Sequence, residues 1–219
     1  MPSPVSSPVS SPAPSPISIV SNDDGEELAR AELYGVLSRL WLAAPDAELL
    51  QQFSVAVTQA PQQGGLLEAP WQTLVGALRM TTVDAASAEY AALFHGVGKA
   101  EVFANASFHL AGFLNEKPLV ALRHDLAALG LTRDSAQLET EDHIAYLFEV
   151  MRYLIAGDDM AVCNLEQQRR FYRTHVQSWV GTFCDTVIAH PRADTWRAVA
   201  AFTQVFIAVE TQAFDMLEA

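Results

Sequence analysis

The chain has little cysteine and little positive charge, and it has no long apolar run. Cys163 and Cys184 are its two thiols, far apart and outside any C-x-x-C pairing. They cannot form a disulfide framework or a Cys/His zinc site, and they fit a reduced, cytoplasmic protein. Thirteen Lys and Arg stand against 26 Asp and Glu, a net charge of −13 at pH 7. So acidic a chain repels nucleic-acid phosphates and anionic membrane surfaces and attracts basic partners, so no nucleic acid is expected to bind. No apolar stretch reaches the roughly 18 residues of a membrane span, so stable membrane insertion is not expected. The first residues lack the cationic and continuous apolar regions of a secretory signal. Catalytic signatures are also missing. There is no G-x-S-x-G elbow and no H-E-x-x-H, and Gly96-Val97-Gly98-Lys99 falls outside the phosphate-loop frame.

What is present is helical period. The 219 residues, half of them hydrophobic, suffice for one domain with a proper core. Residues 1–24 are Pro/Ser/Val-rich and uncharged before Asp23, which predicts a disordered or polyproline-like tail ahead of a helical domain over 25–219. Leu33, Val36, Leu37, Leu40 and Trp41 recur at three- and four-residue spacing until Ala44-Pro45. Asp46 then reads as the N-cap of a helix carrying Leu49, Leu50, Phe53 and Val57. A loop is expected over 61–70 and helices around 71–78, 83–94 and 119–131, the last with Gly130 as C-cap. Further helices are expected over about 159–174 and 176–189, and a final one, capped by Asp194, carries Trp196, Val199, Phe202, Phe206 and Val209. No segment alternates at period two. The expectation is an all-α, single-domain bundle of about nine or ten helices.

The densest chemistry lies at Glu139-Thr140-Glu141-Asp142-His143, directly before an apolar helix. With Thr140 as N-cap, Glu141 and Asp142 would complement the helix dipole. A carboxylate-bridged metal pair would want Glu three residues before His143, where Thr140 stands, so no metal or other cofactor is expected. Asp142, Tyr146, Glu149 and Tyr153 follow at helical spacing, an acidic and phenolic stripe suited to guanidinium groups. A second unusual stretch runs from Tyr90 and Phe94 through Gly96 and Gly98 to Phe103 and Phe108, aromatics around glycines that can form an adaptable apolar surface. Two other readings of these residues stand beside a binding module. One is a helical metal- or small-molecule-dependent enzyme using Glu139, Asp142 and His143; the other is a structural adaptor.

Together these segments resemble the TorD/DmsD/NarJ family of redox-enzyme maturation chaperones. The family's Tyr-x-x-Leu-Phe-x-Gly-x-Gly segment is matched by Tyr90, Leu93, Phe94, Gly96 and Gly98. Its later Glu-x-x-Asp-His segment is matched by Glu139, Asp142 and His143, with Glu149 following. Val97 stands where the family usually has Pro between the glycines, and Thr140 stands where Pro commonly follows the first Glu. The resemblance implies a non-catalytic cytoplasmic chaperone with a TorD/DmsD-like fold, either a monomer or a domain-swapped homodimer. Its partner would be the twin-arginine signal peptide, or the apo form, of a molybdenum-cofactor oxidoreductase, whose export it would delay until the cofactor is loaded. Glu139, Asp142 and Glu149 would accept the arginines, and His143 would orient the cluster or hydrogen-bond the peptide backbone. Tyr90, Phe94, Phe103 and Phe108 would receive the apolar region.

Overall fold

The structure, a computed structural model, describes residues 23–56, 65–96, 100–134 and 138–216. The expected tail therefore lies almost entirely outside the described residues, as do Val57 and Gly98. The described residues hold ten α-helices and two π-helical turns, and the one β-pairing among them is an isolated bridge.

Helices α1 (Asp23–Leu42) and α7 (Ile144–Ala156) pack along one another at the centre. On α1 the residues Tyr34, Leu37, Leu40 and Trp41 are buried, and on α7 Ile144, Leu147, Phe148, Met151 and Leu154 are buried. Each such side chain contributes about 1.5–3 kcal/mol on leaving water. The Ser38 hydroxyl donates to the Ala145 carbonyl at 2.8 Å and fixes the register of the pair. The long α10 (Thr195–Met216) lies on α9 (Val180–Ala189) and α3 (Glu68–Met80). Aromatic edges join the layers, with Tyr34 meeting Phe148 at 5.4 Å and Phe206 at 4.8 Å between ring centres. Arg30 closes the far end, its guanidinium forked onto Glu210 at 2.9 and 2.8 Å, while Tyr34 donates to the same carboxylate.

Several helix ends follow the sequence reading. Pro45 stops α1, and the Asp46 carboxylate accepts from the Leu49 N–H at 2.8 Å to cap α2 (Ala47–Val55). Gly130, at φ +72°, follows α6 (Lys117–Ala128) in the left-handed conformation that suits glycine.

Others differ. The loop expected to Pro70 ends earlier, because α3 takes Pro70 into its first turn, where a missing N–H costs nothing. The helix expected over 83–94 is α4 (Val83–Tyr90) followed by a π-helical turn, Ala91–His95. A second π-helical turn, Tyr172–Val176, follows α8 (Leu165–Phe171), so the helices expected over 159–174 and 176–189 are shorter. Asp194 does not provide the cap of α10. Glu89 of α4 does, accepting from the N–H groups of Asp194, Thr195 and Trp196 at 2.8–3.0 Å. A six-residue helix, α5 (Ala106–Ala111), stands where no helix was expected.

Candidate functional site

The two unusual sequence stretches meet in space, stitched by backbone. Residues 104–106 run antiparallel to 142–144, with Ala106 N–H donating to Asp142 O at 3.0 Å and Ile144 N–H donating to Ala104 O at 2.8 Å. Asp142 adds its side chain to this seam. One carboxylate oxygen accepts from the Ser107 N–H at 2.8 Å, and the other accepts from the Thr140 hydroxyl. Asn105 donates to Thr140 and, more weakly, to Asp142. Asp142 is 1 % exposed, and its charge is offset by donors rather than by a cation.

Asp142 therefore does not begin the helical stripe, and Thr140 is not the cap of α7. The cap is His143, whose Nδ1 accepts from the Ala145 N–H at 3.3 Å. Thr140 and Asp142 are instead turned toward the start of α5, because the bridge to Asn105 holds 142–144 extended until Ile144. Burial lowers the His143 imidazole to about pH 4 against its ordinary 6.5, partly countered by Asp142 and reinforced by nearby His95. Glu141 is likewise outside the helix. It takes a two-pronged pair from Arg123 of α6 at 3.1 and 2.9 Å, which holds its carboxyl below the usual range.

Glu139 sits half-buried at the head of this turn, its backbone carbonyl held by Arg133 at 2.9 Å. Burial first, and then the Glu139 charge, raise the phenols of both Tyr90 and Tyr146, which places these three groups in one electrostatic neighbourhood. The His143 ring stands 6.0 Å from that of Tyr146. Tyr90 is buried, and its hydroxyl donates to the last carbonyls of α1, Trp41 at 3.1 Å and Leu42 at 2.7 Å. Phe94 is half-buried against Tyr90, Trp41 and Trp196.

Gly96 ends the π-helical turn at φ +57°, ψ 160°, a backbone region that is essentially glycine's alone, and its N–H donates to Ala91 O. Gly98 lies outside the described residues. Beyond it the Leu93 carbonyl accepts from Glu101 and Val102, and Glu101 grips His190 and Arg192, each at 2.9 Å. Phe103 and Phe108 pack on each other at 4.4 Å, half-buried, with His109 stacked on Trp179 behind them. Glu149, on α7, pairs with exposed Arg152 at 2.8 Å.

The arrangement thus gathers Glu139, Asp142, His143, Tyr146, Tyr90 and Phe94 around one turn, with Phe103 and Phe108 along the seam and Glu149 further down α7. Asn105 and Ser107 belong to the same seam and escaped the sequence reading. Their signal is an Asn-x-Ser stretch before a short apolar run, the composition of a helix start. Among the described residues, no three His, Cys, Asp or Glu gather as a metal site requires. No helix among them is long and apolar enough to cross a membrane.

No curated protein matches the chain. The sequence profile of the nitrate reductase delta subunit family matches residues 62–185, more than half the length, and spans both stretches joined at the seam. With its all-helical fold, the chain belongs to the nitrate reductase delta subunit family of NarJ/TorD-type molybdoenzyme maturation chaperones.

Proposed function

We propose that the protein binds the twin-arginine signal peptide of a molybdoenzyme in the cytoplasm, and that it holds the apo-enzyme back from export until the cofactor is loaded. The observation that carries this is the Glu139 turn. Glu139 is a half-buried carboxylate beside two phenols, in a molecule with a net charge of −13. The protein's own arginines are largely occupied. Arg30, Arg123, Arg170 and Arg173 face carboxylates, and Arg79 and Arg197 donate to backbone carbonyls. A partner's guanidinium groups would meet acceptors that internal pairs do not saturate. The roles divide by depth. Asp142 and His143, buried, hold the turn in shape; Glu139 and Tyr146, nearer the surface, meet the leader. Glu149 would exchange its exposed Arg152 for a leader arginine, because such surface pairs are worth about 1 kcal/mol or less.

Isothermal titration with a leader peptide tests this. Binding should weaken about tenfold when the paired arginines become lysines, which lose two-pronged geometry, and should weaken again in Glu139→Gln. Equal affinity for both peptides would remove the guanidinium reading.

A further inference from the structure

Resting on that reading, we propose that the acidic turn already holds a guanidinium of its own: Arg133, on the connector from α6 to α7, is an internal stand-in for a leader arginine, and a leader must displace it to bind. The Arg133 guanidinium donates to the Glu139 carbonyl at 2.9 Å and stands 3.9 Å from the Glu141 carboxylate. Its charge also reaches the Tyr146 phenol, where it opposes the upward pull of burial and of Glu139. An arginine from inside the chain therefore lies in the neighbourhood of Glu139 and Tyr146, the same two groups to which the proposed function brings one from outside.

The two arginines at this turn are held differently. Arg123 belongs to α6 and takes both oxygens of Glu141, at 3.1 and 2.9 Å. Arg133 lies beyond the end of that helix, past Gly130, and approaches Glu141 only outside hydrogen-bond range. Its side chain is 33 % exposed, so the guanidinium can pass into water by rotation about its own bonds. Its departure strands no deeply buried charge, because Glu141 keeps Arg123 and Glu139 is half-buried. Arg152 on Glu149 repeats the arrangement on α7, an exposed internal arginine on a carboxylate that the proposed function offers to the leader. Competition of this kind lowers the apparent affinity of every cation in proportion to the fraction of molecules in which the turn is free. A lone lysine or arginine, weakly held to begin with, is thereby shut out. Two guanidinium groups joined in one peptide still bind, because seating the first brings the second within reach of its own acceptor.

The test uses the full chain, the variants Arg133→Gln and Arg133→Lys, and a synthetic peptide carrying an arginine pair. Calorimetry should show Arg133→Gln binding the peptide about fivefold more tightly than the parent, the most that a partly exposed ion pair supplies. Arg133→Lys, which keeps the charge and loses the fork, should fall between the two. Removing a positive charge near a cation site tightens binding even without displacement, so a second measurement separates the two causes. The side-chain Nε–H resonance of Arg133, identified by its absence from both variants, should move to the position of a solvated arginine as peptide is added to the parent, while that of Arg123 stays in place. A resonance of Arg133 that does not move while the peptide binds means that both guanidinium groups share the turn, and the inference is overturned. Equal or weaker binding by Arg133→Gln overturns it too, because Arg133 then props Glu139 for the leader instead of competing with it. Either result leaves the signal-peptide reading standing. If neither the parent nor Arg133→Gln binds the peptide, that reading falls and the inference falls with it.

Discussion

His143 caps α7 with an imidazole nitrogen that must stay unprotonated to accept the Ala145 N–H. Burial lowers its folded-state value to about 4, below the 6.5 of the unfolded chain. Between those values the unfolded state binds the extra proton, so this contribution is complete above about pH 6.5 and is lost as pH falls toward 4. His109 and His175, also lowered by burial, act in the same direction. The unfolding free energy from urea titrations should drop between pH 7 and 4.5, by no more than about 3 kcal/mol for His143. His143→Asn, which caps without titrating, should flatten part of that slope; an unchanged slope would remove His143 from the account. For Asp142 the expected effect is on the fold itself. Asp142→Ala deprives the Ser107 N–H, the Thr140 hydroxyl and Asn105 of an acceptor, and should cost about 2–4 kcal/mol in denaturant unfolding. Ser107→Ala is the control, since the Ser107 hydroxyl is buried with no hydrogen-bond partner and its loss should cost nothing. Leader binding by Asp142 variants must therefore be read well below their unfolding midpoint.

At the scale of elements, the period was legible wherever a helix is long and half-buried. Helix α7 shows this well: Ile144, Leu147, Phe148, Met151 and Leu154 are the buried stripe their spacing predicts. The short α5 was not legible, because six residues cannot display a period, and its start is held by Asp142 from far along the chain. The cap of α10 was misread for a similar reason, since Glu89 reaches it from α4. Helices α1 and α10 are joined by Arg30 and Glu210, the latter 2 % exposed. Arg30→Met leaves that carboxylate buried without its cation and should cost about 3–5 kcal/mol, whereas Arg30→Met with Glu210→Met should recover most of the loss. Additive losses in a double-mutant cycle would show that the pair does not act as a unit.

Across the whole molecule the excess of carboxylates sets how a partner arrives. With 26 acids against 13 bases and many of the bases paired internally, the outward field is negative and would draw in the basic leader of the proposed function from a distance. Calorimetric affinity for the arginine-pair peptide should therefore fall several-fold between about 50 and 300 mM salt, as the screening length contracts to a few ångströms. Glu139→Gln should reduce that dependence. Salt-independent binding would mean that apolar contact alone holds the peptide. The same field opposes self-association over most of the surface.

The sequence by itself determined the helical class, the acidic character and the pairing of two short motifs, because period, composition and residue identity are local properties of a chain. Only the tertiary structure decided what those motifs do to each other. The backbone bridge between Asn105 and His143 turns Asp142 from the first residue of a surface stripe into a buried tie at the start of α5. It leaves Glu139 nearer the surface. Which carboxylate is buried and which can meet a partner depends on contacts between residues some 35 positions apart, and no local pattern carries that information.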